Sequence, residues 1–156
     1  VDKVKALVER YPEVVGIHDL MIHNYGPSHY IASFHAEVNG NEDIYILHDV
    51  IDNIEKQIQH ELGILCTIHM DPINTDDATV KELYEFLTES VKSAFAYDVS
   101  VHDFRVVVGA THTNLIFDIV VPFEAKEKPE EIIEKIETCV SSKRQNVFCV
   151  ITVDRG

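Results

Sequence analysis

The first half of the chain is repeated, in weakened form, in its second half. Three blocks recur in the same order, at an offset of 84 residues for the first block and 83 for the other two: 16–20 with 100–104, 33–38 with 116–121, and 65–71 with 148–154. Three ordered matches at nearly one offset indicate a tandem duplication. One residue deleted between the first two strands of the unit would explain the change of offset. We therefore expect two units, residues 1–75 and 76–156.

Both units share one predicted order of elements, α-β-β-α-β. Apolar periodicity, together with proline and glycine positions, defines these elements. In the first unit, one helix is expected at 1–11, and a second begins at Ile44 and is stopped by Gly63. The second helix carries an apolar stripe made of Ile44, Leu47, Ile51, Ile54 and Ile58. The expected strands are 14–25, 30–38 and 64–71, the last closed by Pro72. In the second unit, the expected helices are 77–96 and 129–140, and the expected strands are 99–109, 114–121 and 146–154. This order predicts an α+β fold with the helices on one face of a small sheet.

The charge and composition of the chain indicate which kinds of partner it can bind and where it is found. The chain has 27 acidic and 13 basic residues and a formal charge of −14, which argues against nucleic acid and suits a cation. No apolar stretch approaches the roughly 18 residues of a membrane helix. The chain begins at Val1 with no start methionine or signal-peptide pattern, so we expect a soluble piece of a longer protein. Its three cysteines lack C-x-x-C spacing, which favours a reducing compartment.

Histidines are concentrated in the first unit, which holds seven of the nine. Side chains alternate between the two faces of a strand, so Phe34 is expected on the helix-covered face and His35 and Glu37 on the other. By the same rule, His69 and Asp71 share that other face. A buried imidazole or carboxylate without a partner costs several kcal/mol, so these groups need solvent, a partner or a metal.

Five side chains could meet at one surface or edge of this sheet: His18, His35, His48, His69 and Asp71. Imidazole and carboxylate together suit zinc and neighbouring divalent ions. Zinc is therefore the first expectation, with manganese, cobalt, iron, nickel and cadmium as alternatives. The other candidates are expected to be ordinary: Cys66 and Cys149 as core residues, and His23, His29 and His60 as solvated side chains.

Five blocks in the first unit resemble, in their order, the C-terminal cytoplasmic domain of cation diffusion facilitator (cation efflux) transporters. The blocks are Val15–Leu20, Ile22–Pro27, Ala32–Val38, His48–Glu55 and Thr67–Pro72. The resemblance implies a ferredoxin-like, metallochaperone-like fold that forms a V-shaped homodimer beneath the transmembrane domain of the same transporter. It also implies a location at the cytoplasmic face of the membrane. The resemblance further implies that the five candidate ligands fall at the family's metal-binding positions.

The second unit departs from the family pattern. His35 becomes Asp118, His48 falls opposite Glu131, and His69 becomes Thr152, whereas His102, Asp118 and Asp154 remain as candidate ligands. The face that is polar in the first unit gains Ile116, Val120 and Val150, and an exposed apolar patch usually marks a protein contact. We therefore interpret the second unit as structural or dimerising, with a decayed metal site.

These observations favour a non-enzymatic domain that binds a divalent metal and thereby controls the packing of a dimer. One alternative is a metal-dependent hydrolase, but the sequence contains no H-E-x-x-H or G-x-S-x-G motif and no nucleophile beside a base. A second alternative is an ACT-like small-molecule sensor, because its element order is closely related. That function would leave the clustered histidines without a role.

Overall fold

The structure, a computed structural model, describes the whole chain from Val1 to Gly156. The chain folds into two compact units, Val1–Ile73 and Asn74–Gly156. The elements of the first unit are α1 (Asp2–Val8), β1 (Val14–Asn24), β2 (Tyr30–Asn39), α2 (Ile44–Leu62) and β3 (Ile64–Ile73). Those of the second unit are α3 (Asp77–Ala94), β4 (Ser100–Val108), β5 (Thr113–Val121), α4 (Pro129–Lys143) and β6 (Val147–Arg155). The predicted α+β architecture, duplicated in tandem, is confirmed.

Helix α2 begins and ends at residues suited to those positions. The Asp43 carboxylate accepts a hydrogen bond of 2.7 Å from the backbone N–H of Tyr45, which satisfies a donor that the helix itself leaves free. Gly63 follows the last turn in the left-handed region, with φ of 67°, as the sequence predicted. The predicted apolar stripe is buried except at its first member, because Ile44 follows the cap directly and is 64% exposed.

The first sheet has the strand order β1-β2-β3, with β1 antiparallel and β3 parallel to the central β2. Its helix-covered face carries Phe34, Ala36 and Ile68, which pack with Leu7 of α1 and Ile54 of α2 in one core. The side-chain alternation predicted for β2 and β3 is therefore confirmed. It directs the neighbouring polar residues to the opposite face.

Strand β3 does not end at Pro72 as expected. It continues to Ile73, and Pro72 lies opposite Val38 in the parallel ladder with β2. Because β3 is an edge strand, a proline can stand where no second neighbour needs its missing N–H. The extra length places Asp71 inside the strand and fixes its direction.

The second unit repeats this construction. Its sheet has the order β4-β5-β6 with the same antiparallel and parallel pairings. Phe117 and Ile119 of β5 pack with Leu87 of α3 and with Ile132 and Ile136 of α4. Ile116 on the other face is only 3% exposed, so the apolar row predicted there is not an open patch.

None of the helices combines the length and the apolar character needed to cross a bilayer.

Candidate metal centre

Three histidines form a row across the first sheet. His18 of β1 lies opposite His35 of β2, which in turn lies opposite His69 of β3. The ring centroids are 4.7 Å apart between His18 and His35, and 4.7 Å apart between His35 and His69. Strand pairing thus brings together three imidazoles that are far apart in sequence.

Asp71 lies at the centre of this row. Its Oδ2 atom is 2.8 Å from Nδ1 of His35 and 3.2 Å from Nε2 of His18. Its Oδ1 atom is 3.2 Å from Nε2 of His69. One carboxylate therefore contacts all three imidazoles, and four of the five predicted ligands lie together.

The centre is buried on one side and open on the other. Glu37 and Asp71 are 1% and 6% exposed, whereas the side chain of His69 is 68% exposed. A depression of 480 Å³ opens beside His35 and His69, and its lining includes Met21 of β1. An ion could thus reach the centre from solvent through this depression.

The two buried carboxylates control the protonation of His18. Burial of its ring lowers the pKa, but hydrogen bonds with Asp71 and Glu37 outweigh this effect and raise the pKa to about 9. For Asp71, burial raises the pKa, and the hydrogen bonds from His18 and His35 more than reverse this, so its pKa is lowered. Without a metal, a proton on His18 offsets part of the negative charge of these carboxylates.

The donor set suits a divalent transition metal. The ligand atoms of His18, His35 and Asp71 all lie within 4.8 Å of one another. Donors that share one tetrahedral zinc ion at about 2 Å lie roughly 3–3.5 Å apart, so small side-chain shifts would suffice. Two imidazoles and a carboxylate, with a third imidazole close by, are ligands that zinc and its neighbours accept.

A β-bulge directs His18 toward the centre. After the pair His18–His35, the next pair is Met21–Ser33, so β1 has one more residue than β2 at this point. The extra residue is accommodated at Asp19, whose φ is 54°. Bulges of this kind redirect side chains at sheet edges, and here the redirected side chain is a candidate ligand.

The second unit keeps the bulge but not the row of imidazoles. Asp103, at the position of Asp19, has φ of 51°, and His102 lies opposite Asp118. Burial and a hydrogen bond with Asp103 raise the pKa of Asp118. Asp154, the counterpart of the buried Asp71, is exposed. The position of His69 is held by Thr152, so only one imidazole remains here.

His48 is not among the side chains that meet at Asp71. It lies on the exposed face of α2, one turn before Asp52. His23, His29 and His60 are exposed, as expected, and the buried Cys66 belongs to the core. Cys149 packs against the second core, and burial raises the pKa of both thiols to about 12.

Glu37 is a site residue that the sequence did not single out. Strand alternation placed it on the correct face, but its exposure of 1% and its contact of 3.3 Å with Nδ1 of His18 were not predicted. The only signal in the sequence was a glycine, Gly16, inside a predicted strand. In the structure, Gly16 is paired with Glu37 in the ladder and leaves room for the larger side chain.

Comparison with known proteins agrees with the sequence resemblance. Residues 1–73 match the family described as cation efflux protein, cytoplasmic domain. The metal-bound C-terminal domain of the CzcD transporter from Thermotoga maritima is 29% identical, with a TM-score of 0.43, and the match covers 46% of this chain and 84% of that one. The cytosolic domain of a cation diffusion facilitator family protein is also 29% identical, with a TM-score of 0.41, covering 46% of this chain and 86% of that one. No curated protein is significantly similar to the chain. The first unit, residues 1–73, is thus similar over its whole length to the cytoplasmic domains of cation efflux proteins.

Proposed function

We propose that the chain is the regulatory part of a divalent-cation efflux transporter and binds its regulatory ion in the first unit. The proposed ligands are His18, His35, His69 and Asp71, with zinc as the preferred ion. His48 is a fifth proposed ligand, from outside this cluster. The observation that carries the proposal is the buried Asp71 carboxylate, which contacts three imidazoles within 3.2 Å.

Binding of the proposed ion displaces a proton from His18. His18, whose pKa is about 9 in the metal-free protein, would release its proton and present a neutral ring nitrogen to the ion. Metal binding in proteins is generally coupled to such proton release. The two buried carboxylates, Glu37 and Asp71, favour either cation, so the centre is suited to hold a proton when the ion is scarce.

The ion is proposed to control how two chains pack as a homodimer at the cytoplasmic face of the membrane, next to the transmembrane domain of the same transporter. The similarity of the first unit to that family and the charge of −14 per chain support this. Two acidic chains repel one another at close range, and each ion adds two positive charges. A ligand shifts such an equilibrium only if it binds one arrangement more tightly.

Zinc titration by calorimetry, combined with sedimentation and small-angle scattering, tests this function. We expect a Kd in the roughly micromolar range or tighter, a dimer, and a smaller radius of gyration with zinc. Raised salt should reproduce only part of the compaction, because sodium screens charge but does not coordinate imidazole. An unchanged radius at saturating zinc would contradict the regulatory role. Turnover in a hydrolase screen with zinc present would instead favour an enzyme.

A further inference from the structure

We propose that Glu37 is a positioning residue of the metal centre and that Gly16 provides the space it needs. Glu37 holds His18 through one ring nitrogen, so that the other ring nitrogen faces Asp71 and the ion. This inference rests on the proposed function. It adds to that function a pair of residues, Glu37 and Gly16, that sets the orientation of His18 and thereby the affinity of the centre for the metal.

The two ring nitrogens of His18 contact two different carboxylates, and this is the first observation that supports the proposal. Its Nδ1 atom is 3.3 Å from Oε2 of Glu37, and its Nε2 atom is 3.2 Å from Oδ2 of Asp71. A carboxylate that accepts a hydrogen bond from one ring nitrogen keeps the proton there and leaves the lone pair on the other nitrogen. Glu37 is 1% exposed, so packing holds it firmly in this place.

The space left by Gly16 is the second observation that supports the proposal. A Cβ atom at this position would lie 2.9 Å from Oε2 of Glu37 and 3.3 Å from its Cδ. The carboxylate could move away from such an atom, but the movement would break its contact with His18. A side chain at position 16 is therefore expected to weaken metal binding without touching the metal.

The second unit provides a natural comparison in which both residues have changed. Ser100 occupies the position of Gly16, and Val120 occupies that of Glu37. Here Nε2 of His102 lies 2.9 Å from the hydroxyl oxygen of Ser100. The nitrogen that faces Asp71 in the first unit is thus engaged elsewhere in the second.

Zinc affinities of four variants test the pair. Glu37→Val should lose about 10- to 100-fold in affinity, the range typical of outer-shell partners of metal ligands. Glu37→Gln should stay within a few-fold of the unmodified protein, because its amide oxygen still accepts from Nδ1–H. Gly16→Ser should lose about as much as Glu37→Val, and the double variant should lose no more than either. Glu42→Val, at an exposed position, is the matched control and should bind normally.

Two further measurements separate positioning from a merely structural role. At alkaline pH, where His18 is neutral and its ion pairs no longer contribute, unfolding of the metal-free Glu37→Val protein should be little changed, whereas a structural role would lower its stability. Nitrogen NMR of the unmodified protein should show His18 protonated at Nδ1, both with zinc and in the metal-free protein at alkaline pH. Zinc on Nδ1, or unaltered affinity of Glu37→Val, would overturn the proposal. Absence of any zinc binding would refute the proposed function, while the metal-free NMR still decides the role of Glu37.

Discussion

Asp71 is the residue on which the first-unit centre depends most. It is 6% exposed, and its two oxygens contact imidazoles from all three strands. A buried carboxylate needs compensation by hydrogen bonds or positive charge. The same residue therefore sets both the proton affinity of His18 in the metal-free protein and the expected affinity of the centre for a cation.

Replacing Asp71 by asparagine should remove the anionic ligand while keeping the size of the side chain. We expect zinc affinity to fall by more than about 100-fold, beyond the range typical of an outer-shell residue. Competition with a chromogenic chelator measures this loss. Asp154→Asn, at the exposed counterpart in the second unit, is the matched control and should leave affinity unchanged. Equal affinities for both variants would rule out Asp71 as a ligand.

Stability of the metal-free protein should fall as pH rises from about 6.5 to 9. His18 has a pKa of about 9 in the folded chain, compared with an ordinary value of 6.5, so the folded state binds more protons than the unfolded state in this window. The contribution is complete below pH 6.5 and lost through pH 9, and amounts to at most about 3 kcal/mol. At acid pH, Asp71 has the opposite effect because its pKa is lowered by folding. Stability should therefore fall as the pH drops below 3.8, the ordinary pKa of an aspartate.

Denaturant unfolding in the presence of a chelator, repeated across this range, checks the slope. His18→Gln should flatten it, because the titrating group is gone. A free energy of unfolding that does not change between pH 6.5 and 9 would show that the carboxylates of Asp71 and Glu37 do not stabilise a proton on His18.

Strand β1 shows how an element aims a ligand. Its bulge at Asp19 requires a left-handed backbone, with φ of 54°, and aspartate tolerates this conformation better than most residues. The equivalent bulge at Asp103 is kept in the second unit, although the imidazole row is not. The bulge is thus a property of the fold, and the ligands are added to it.

Valine at the bulge should be costly in both units, but only one substitution should affect metal binding. Asp19→Val and Asp103→Val should each destabilise the protein by about 1–2 kcal/mol, because a β-branched residue is strained at positive φ. Asp19→Val should also weaken zinc binding by misdirecting His18, whereas Asp103→Val should not. Asp19→Gly is the control for backbone strain, because glycine adopts a positive φ without strain. Equal zinc affinities in the two valine variants would show that the bulge does not position the ligand.

Sequence periodicity predicted the elements well where local chemistry decides them. Strand alternation in β2 placed Phe34 in the core and His35 on the opposite face because both depend only on parity. The prediction that β3 ends before Pro72 was wrong, because a proline is tolerated in an edge strand and the sequence alone does not show that β3 lies at the edge of the sheet. Sequence periodicity also could not predict the bulge at Asp19 or the burial of Glu37, since both depend on pairing between distant segments.

The whole chain has two similar cores, but only the first unit has a centre suited to a metal. The differences that concern the site lie on the strand faces away from the helices, where two of the three imidazoles and Glu37 are replaced. The buried residues that carry the fold remain apolar in both. Duplication thus preserved the scaffold and allowed the site to diverge.

Zinc should stabilise the two units unequally. At a free concentration 100 times its Kd, an ion that binds only the folded state adds about 2.7 kcal/mol. We expect hydrogen-exchange mass spectrometry to show slower exchange at 32–36 of the central strand β2, and little change at 115–119 of β5. Equal protection of both segments would contradict a site confined to the first unit.

The most direct measurement is calorimetric zinc titration of two matched double variants beside the unmodified protein. His35→Ala with Asp71→Ala removes two proposed ligands from the first unit, and Asp118→Ala with Asp154→Ala changes the corresponding positions of the second. We expect the first pair to abolish the zinc-binding heat and the second pair to leave it intact. Retention of full affinity by the first pair, or its loss only in the second, would contradict a metal centre built on Asp71.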